Sequence, residues 1–433
     1  MDALFISIIG LVAFFILMSQ GMSIAFAFAL VGAIGLLALK GINPALNLLG
    51  SAPFTWTTNP SLLSLPLFIL MGQFVFQSGI GGDLFDTAHK WVGRVPGGLA
   101  VATTVAATLF GACCGASTAA AATFASVAYP EMDRYHYNRG MSTGCITAGG
   151  SLSCLIPPSV AFIVYGVLTQ SSIAQLFIGG IFPGLLLASL YILLILGMCL
   201  RNPKLGPAGP RFTWKERFIS LRGLIAVVIL FLLVLVGMFT GVFAASEAGA
   251  IGAFGALVIV AVRRRITFAS FIDSVKGATV STCFVLTITT GAMIFSNFLA
   301  VGGFARMFQG WITGLSVSPT IIMICIFIIY MILGMFMDGL SMLLLTLPII
   351  FPVIVSLGYP VVWFGIISTL LVEMALISPP VGMNVYVVTG ITRVPMGQVF
   401  AGSMPFFGMM FLGIIIMWVF PQIVMFLPGL ITG

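Results

Sequence analysis

Two proline pairs interrupt apolar segments of this chain, and they constrain its fold more than any other feature. Pro157-Pro158 and Pro379-Pro380 each lie within a long apolar stretch. Proline removes a backbone hydrogen-bond donor and disfavours helix at the residue before it, and lipid offers no substitute partner. Each pair therefore predicts a helix that is broken inside an apolar environment.

The surroundings of the two pairs correspond to each other. Each pair follows a glycine-rich turn, at 109–118 and at 333–341, and each precedes a Val-Tyr pair and a Gly-x-x-Pro sequence. Trp91 and Trp311 lie at similar distances upstream of the two turns. Internally repeated membrane proteins with paired broken helices are, above all, secondary transporters. The correspondence predicts two repeats, each with its own broken helix.

Composition indicates a membrane protein. Hydrophobic residues make up 60% of the chain and charged residues only 6%, which is too few to cover a water-facing surface. Apolar runs of about 20 residues recur along the chain, and each is long enough to cross a bilayer. We expect an all-α polytopic protein with about ten transmembrane helices and two re-entrant helical hairpins.

The basic residues predict the orientation. They crowd the segments 201–222 and 263–276, with smaller groups at 90–94 and 134–139, and these loops should be cytoplasmic. Lys40 is a single exception, since this orientation places it outside. Both termini are then expected in the periplasm. The net charge of +7 does not indicate nucleic-acid binding, because the basic residues are confined to short loops between apolar runs.

The first repeat is predicted at 1–222. Two short apolar stretches lie between cytoplasmic loops and form a re-entrant hairpin at about 97–129, followed by a broken helix at about 141–168. Two ordinary membrane spans in place of the hairpin would preserve the topology, and this alternative stays open.

The second repeat is predicted at 223–433. Its hairpin, at about 319–357, should enter from the opposite side, and its broken helix should lie at about 363–388. The two repeats are thus expected to have inverted topology. The more polar segments 43–56 and 264–276 are expected along the membrane interface as arms, and 302–318 is expected to be a loop.

Only three acidic residues lie within apolar segments of the sequence, and a carboxylate inside the membrane is a functional candidate by default. Asp338 lies at the second glycine-rich turn, where it either coordinates or supports a cation or caps the hairpin. Glu247 is expected to cap the helix that follows it. Glu373 precedes the second proline pair and either makes an interhelical hydrogen bond or belongs to a site.

Hydroxyl and amide groups concentrate at both repeated breaks. Frayed helix ends at these breaks offer carbonyl groups to sodium, and their N-termini favour an anionic substrate. The residues expected at the substrate are Ser117, Thr118, Ser159, Ser341 and Asn384. Enzyme signatures are missing from the sequence, since it has no Walker loop and its two histidines, His89 and His136, form no HExxH-type pattern. We therefore expect a transporter and not an enzyme.

In this order and spacing, the motifs of the chain resemble those of one family, the large membrane subunit of tripartite ATP-independent periplasmic (TRAP) transporters. The resemblance covers essentially all 433 residues. The segments that carry it are 66–72, 110–117, 155–159, 246–252, 334–338 and 379–384.

This resemblance implies an elevator-type importer in the bacterial inner membrane, driven by sodium as the coupling ion. It implies two partners, a small four-helix membrane subunit and a periplasmic substrate-binding protein. The binding protein would deliver an organic acid such as a C4-dicarboxylate or a sugar acid, sialic acid among them. By motif position, one sodium site maps to Gly111, Cys114, Ser153 and Pro158, and the other to Gly334, Ala375, Ser378 and Val381.

Several of these positions depart from the commoner pattern of the family. Gly111 and Cys114 replace serines, and Ser153 and Ala375 replace glycines. The changes matter little if backbone carbonyl groups are the ligands, and they weaken the first site if serine hydroxyl groups are. Two other functions stay open. One is a stand-alone ion-coupled carboxylate transporter without a binding protein, and the other is a channel or structural membrane subunit.

Overall fold

The computed structural model describes residues 3–314 and 317–430, and every regular element within these ranges is a helix. Ten helices precede the central basic loop. They are α1 Ala3–Ser19, α2 Ile24–Lys40, α3 Ile42–Thr57, α4 Ser64–Gln77, α5 Ile80–Val92, α6 Gly98–Cys114, α7 Ser117–Arg134, α8 Arg139–Leu155, α9 Val160–Thr169 and α10 Ile173–Arg201.

Ten further helices of the described chain follow that loop. They are α11 Trp214–Phe239, α12 Ala245–Val262, α13 Phe268–Val301, α14 Phe304–Gly314, α15 Pro319–Gly334, α16 Gly339–Ser356, α17 Val361–Ala375, α18 Met383–Thr392, α19 Met396–Val419 and α20 Gln422–Gly429. Six helices in these ranges are long and apolar enough to cross a membrane, and the number rises to eight if each of two bent pairs is one span. The sequence-based count of about ten crossings also includes shorter apolar helices such as α1 and α2.

Pairs of helices occupy the segments in which the hairpins and broken helices are predicted, with similar bounds. Helices α6 and α7 form the first hairpin, and α15 and α16 form the second. The first proline pair separates α8 from α9, with a bend of 40°, and the second separates α17 from α18. Both Pro-Pro peptide bonds are cis.

Helices of the two halves of the chain pack against each other in corresponding pairs. Helix α4 packs against α12, while α2 packs against α13. Helix α7 packs against α18, while α16 packs against α9. Helix α19 packs against α8, while α10 packs against α17. Each half of the chain therefore completes its core with helices from the other half.

The two hairpins enter from opposite ends of the helical assembly. At the base of the first, the Gly97 amide donates to the Gly206 carbonyl at 2.8 Å, which fixes it beside the central basic loop. The second hairpin ends just before α17. There the hydroxyl group of Tyr165, in α9, donates to the Val361 carbonyl group at 2.8 Å. Since α8 and α9 lead from the basic loop to that point, the second base lies at the far end.

An ion-pair cluster joins loops that the sequence predicts on one side of the membrane. The Asp83 carboxylate at the start of α5 accepts from Arg263 at 2.9 Å and from Arg265 at 2.8 Å. Arg263 also donates to the carbonyl groups of Arg222 and Gly223, both at 3.1 Å. The α4–α5 and α12–α13 connections therefore meet the N-terminal part of α11 at the same end.

Two expectations about polar segments are wrong. The segment 302–318 was expected to be a loop, but it contains helix α14, whose Trp311 corresponds in position to Trp91 of α5. The segment 264–276 is not a separate arm, because residues from Phe268 onward form the first turns of α13. With 34 residues, α13 is about 50 Å long, so its polar start extends beyond a bilayer core of about 30 Å. The segment 43–56 does form its own short helix, α3.

We expect Asp83→Asn to lower the stability of the protein by about 1 kcal/mol, since it removes the shared acceptor of two arginines that are partly shielded from solvent. Asp86→Asn is the matched control on the same helix, because it removes only the ion pair between exposed Asp86 and Lys90. Thermal unfolding of the detergent-purified protein at low and high salt measures both effects. Equal effects of the two substitutions would contradict a stabilising role for the Asp83 cluster.

Candidate functional site

A cavity of about 650 Å³ lies where both hairpin turns and both broken helices meet two unbroken helices. Helices α4 and α13 form one wall, with Gln73 and Ser281 as its polar groups. The opposite wall combines the first turn, 114–119, with residues of the second turn and of both broken helices. All four irregular parts predicted from the sequence therefore contribute to one cavity.

The first hairpin turn owes its shape to Gly115, which ends α6. Its φ of 62° lies in the left-handed region, and its amide donates to the Gly111 carbonyl at 3.3 Å. A Cβ atom on Gly115 would also collide with the Pro158 carbonyl oxygen. Only glycine combines this backbone conformation with so close an approach to the first helix break.

The structure brings the first predicted sodium-site set together. A Cβ atom on Gly111 would lie 2.6 Å from the Ser153 Cα atom, so the two backbones are in direct contact. The Ser153 hydroxyl donates to the Ala107 carbonyl at 3.2 Å. Cys114 lines the cavity, and Pro158 is held against the turn through Gly115. Because the Ser153 hydroxyl donates, its lone pairs stay free, so hydroxyl and backbone carbonyl oxygens are both available to a hard cation such as sodium.

The second set shows a corresponding arrangement. Gly334, at the end of α15, lies directly against the Ala375 side chain at the end of α17. The Ser378 hydroxyl donates to the Ala375 carbonyl at 3.0 Å, which leaves that hydroxyl's lone pairs free to coordinate. The Val381 side chain is 43% exposed and lies in the break itself. In both sets, a glycine near the end of the hairpin's first helix, Gly111 or Gly334, lies against the helix that precedes a proline pair.

Asp338 is the N-cap of α16. Its carboxylate accepts from the Ser341 amide at 3.1 Å and from the Ser341 hydroxyl, and the residue also lines the cavity. Glu247 accepts from the Ala244 amide at 2.8 Å, which confirms that it caps α12 as predicted. Asp338 therefore caps the hairpin, and its position on the cavity wall keeps the cation hypothesis open to experiment.

The five residues predicted at the substrate are placed differently from one another. Ser117 and Thr118 line the cavity at the start of α7. Ser159 caps α9 by accepting from the Phe162 amide at 3.4 Å. Ser341 is bound to Asp338, and Asn384 donates to the Ser117 hydroxyl at 2.6 Å. The last three are fully buried and support the walls instead of forming the cavity surface.

The electrostatics of the cavity differ from what the anionic substrate predicted from the sequence would favour. Asp338 and Glu373 are on its walls, and none of its lining residues in the described part of the chain is Arg, Lys or His. The start of α7 supplies the opposite polarity, since Ala116 precedes it without a capping side chain. Free amide groups at a helix N-terminus attract anions. The cavity can therefore bind a small molecule through hydroxyl, amide and backbone groups.

Two polar groups of the cavity were missed by the sequence reasoning. Gln73 and Ser281 lie on unbroken helices, while the search for site residues followed the breaks. The signal that was available is their polarity within apolar stretches, since Gln73 is an amide within the apolar helix α4. Gln73 also lies against Gly277 of α13, which shows how closely the two helices pack.

Comparisons with known proteins agree with this architecture. The family described as "Tripartite ATP-independent periplasmic transporter, DctM component" matches residues 11–423. The chain is 32% identical to the C4-dicarboxylate TRAP transporter large permease protein DctM of Pseudomonas aeruginosa, over 90% of this chain and 93% of that protein. It is 27% identical to the sialic acid TRAP transporter large permease protein SiaM of Vibrio cholerae, over 96% and 97% of the two chains.

Among solved structures, the YdaH transporter of Alcanivorax borkumensis superposes with a TM-score of 0.64 at 14% sequence identity, over 88% of this chain and 90% of that one. At this identity the likeness concerns the fold alone, which is that of a membrane transporter. The family match and the identity to its members settle the classification: the chain belongs to the DctM family, the large permease subunits of tripartite ATP-independent periplasmic transporters.

Proposed function

We propose that this chain forms the transport pathway of a sodium-coupled importer for an organic acid. The observation that carries the proposal is the cavity enclosed by two hairpin turns and two broken helices. Paired breaks near the middle of a membrane are where secondary transporters bind substrate and coupling ion. The two sets of backbone groups at Gly111–Ser153 and Gly334–Ala375 are the sodium sites of this proposal.

The substrate class follows from the cavity and from the relatives. The relatives above are named for C4-dicarboxylates and for sialic acid, both small organic acids. In this chain the free amide groups at the start of α7, with Ser117 and Thr118, are the binding elements for one carboxylate of such a molecule. A periplasmic binding protein would deliver the acid, and a small four-helix subunit would complete the membrane complex.

The transport mechanism of this proposal is an elevator. The mobile body would contain α6 to α9 and α15 to α18, which are the hairpins and broken helices of two inverted repeats, 1–222 and 223–433. The unbroken pairs α2 with α13 and α4 with α12 would form the fixed frame, and the small subunit would pack on it. The cavity lies between these two bodies, so relative movement would change its depth in the membrane. The protein would lie in the inner membrane with both termini periplasmic.

Sodium coupling is tested by uptake into proteoliposomes that contain the complete complex and its binding protein. We expect uptake under an inward sodium gradient and none with ATP alone. A potassium gradient of the same size is the control, because it provides the same ionic strength without the coupling ion. Undiminished uptake in sodium-free buffer would contradict the proposal, and uptake without the binding protein would favour a stand-alone transporter.

Two substitutions at Asp338 separate its charge from its capping role. Asp338→Asn keeps a good N-cap, so we expect little change in stability, whereas Asp338→Ala should cost about 1 kcal/mol. If the charge supports a cation, Asp338→Asn should still raise the sodium concentration for half-maximal uptake several-fold, since it removes a Coulomb attraction at low local dielectric. An unchanged sodium dependence in this variant would leave Asp338 as a cap only.

The elevator is tested by cross-linking in a cysteine-free background. Phe76→Cys on α4 and Ala119→Cys on α7 line the cavity from the two bodies, and a short bifunctional thiol reagent between them should block transport. Ala122→Cys on α7 with Leu340→Cys on α16 is the control pair within the mobile body, since both residues line the same cavity from the two hairpins. We expect the control to retain most transport. Full activity of the first cross-linked pair would instead favour local gating.

A further inference from the structure

A buried polar cluster beneath the cavity joins four helices from both halves of the chain. Asn384 of α18 donates to the Ser117 hydroxyl of α7 at 2.6 Å and reaches the Ser151 hydroxyl of α8 at 3.5 Å. The same two hydroxyl groups and the Cys154 thiol of α8 lie within hydrogen-bonding reach of the Glu373 carboxyl group of α17. Glu373 and Asn384 thus share the hydroxyl groups of Ser117 and Ser151 as hydrogen-bonding neighbours.

Two oxygen atoms of this cluster have no protein partner. They are Glu373 Oε2 and Asn384 Oδ1, and both are fully shielded, on residues that are 1% and 0% exposed. Both atoms are acceptors, so the cluster lacks a donor or a cation. Burying an ionised carboxylate without such a partner costs several kcal/mol.

The position of Glu373 increases the need for a positive charge. It lies in the last turn of α17, which ends at Ala375, where the helix dipole already contributes partial negative charge. The lining of the adjacent cavity contains no basic residue among the described residues. The protein itself therefore does not supply the compensating charge at this point.

We propose that this cluster is a binding site for one monovalent cation, with sodium as the expected occupant. Its ligands are Glu373 Oε2, Asn384 Oδ1 and the hydroxyl oxygens of Ser117 and Ser151. All four are hard oxygen ligands, which suit an alkali or alkaline-earth cation and not a soft metal. A single carboxylate balances a single charge, whereas a divalent ion would leave a net charge buried in the membrane.

This site goes beyond the two sodium sets of the proposed function. Each of those sets lies within one repeat, whereas this site takes side chains from α7, α8, α17 and α18, and so from both repeats. An ion bound here holds both repeats together through one shared ligand shell. The site's ion is therefore bound at the centre of the mobile body, next to the wall that receives the substrate.

The test counts ions on the purified complex of the large and small subunits by equilibrium binding of radioactive ²²Na⁺. Glu373→Gln should bind one sodium ion fewer per large subunit than the wild type, because the only charged ligand is lost. Glu247→Gln is the matched control, since Glu247 caps α12 and is absent from the cavity lining. It should bind as many ions as the wild type.

A second pair of variants protects the test against misfolding. Ser151→Ala removes one neutral ligand and should weaken binding of the same ion several-fold. The double variant Glu373→Gln/Asn384→Asp returns one negative charge to the cluster from a neighbouring position and should recover the lost ion. Wild-type stoichiometry in Glu373→Gln would overturn the site, and so would a loss that the double variant does not restore. Either result leaves the proposed function standing, since that fails only if wild-type uptake is independent of sodium.

Discussion

The rest of this structure depends on pairing every backbone group that a helix break sets free. In lipid such groups have no water to bind, so each break has to be sealed by protein. At the first break, Ser159 caps α9, and the Val160 amide lies 3.5 Å from the Gly115 carbonyl of the hairpin turn. At the second break, the backbone amide of Asn384 donates to the Leu376 carbonyl group at 3.1 Å. The first break is therefore sealed partly by its hairpin turn, and the second by the two arms of its own broken helix.

The same requirement explains why glycine is concentrated at the contacts between these elements. Gly111 lies directly against the Ser153 backbone and Gly334 against the Ala375 side chain, so neither position has room for a larger residue. Small residues allow such packing in membranes, where no hydrophobic driving force acts between helices. This close packing brings together the residues of the two sets proposed for sodium.

Much of the fold is predictable because its breaks are encoded locally. Pro157-Pro158 and Gly115 restrict their own backbone, so the hairpin and broken-helix bounds follow from the sequence to within a few residues. Helix α14 and the unbroken start of α13 were not predictable in this way. The segment 302–318 contains glycines and polar residues that favour a loop when considered alone, and its helix packs against α16 and α13. Its structure thus depends on contacts between distant parts of the chain.

The candidate site was predicted to a similar extent and for similar reasons. The groups at the breaks were found, and the cavity does lie among them. The difference between Thr118, which faces the cavity, and Ser159, which caps a helix, depends on side-chain direction and not on position in the motif. Gln73 was missed because it lies on an unbroken helix, where its polarity within an apolar stretch is the signal and not a break in the chain.

The length of α13 has a consequence for how the protein fits its membrane. To keep all 34 residues within a core of about 30 Å, this helix would have to tilt by more than roughly 50°, which exceeds the usual range of up to about 40°. Its first turns, with Asp273 and Lys276, therefore stand in the headgroup region and beyond. A thicker or thinner bilayer would only shift the level at which lipid surrounds α13. The wall that α13 contributes to the cavity would thus keep its geometry in membranes of different thickness.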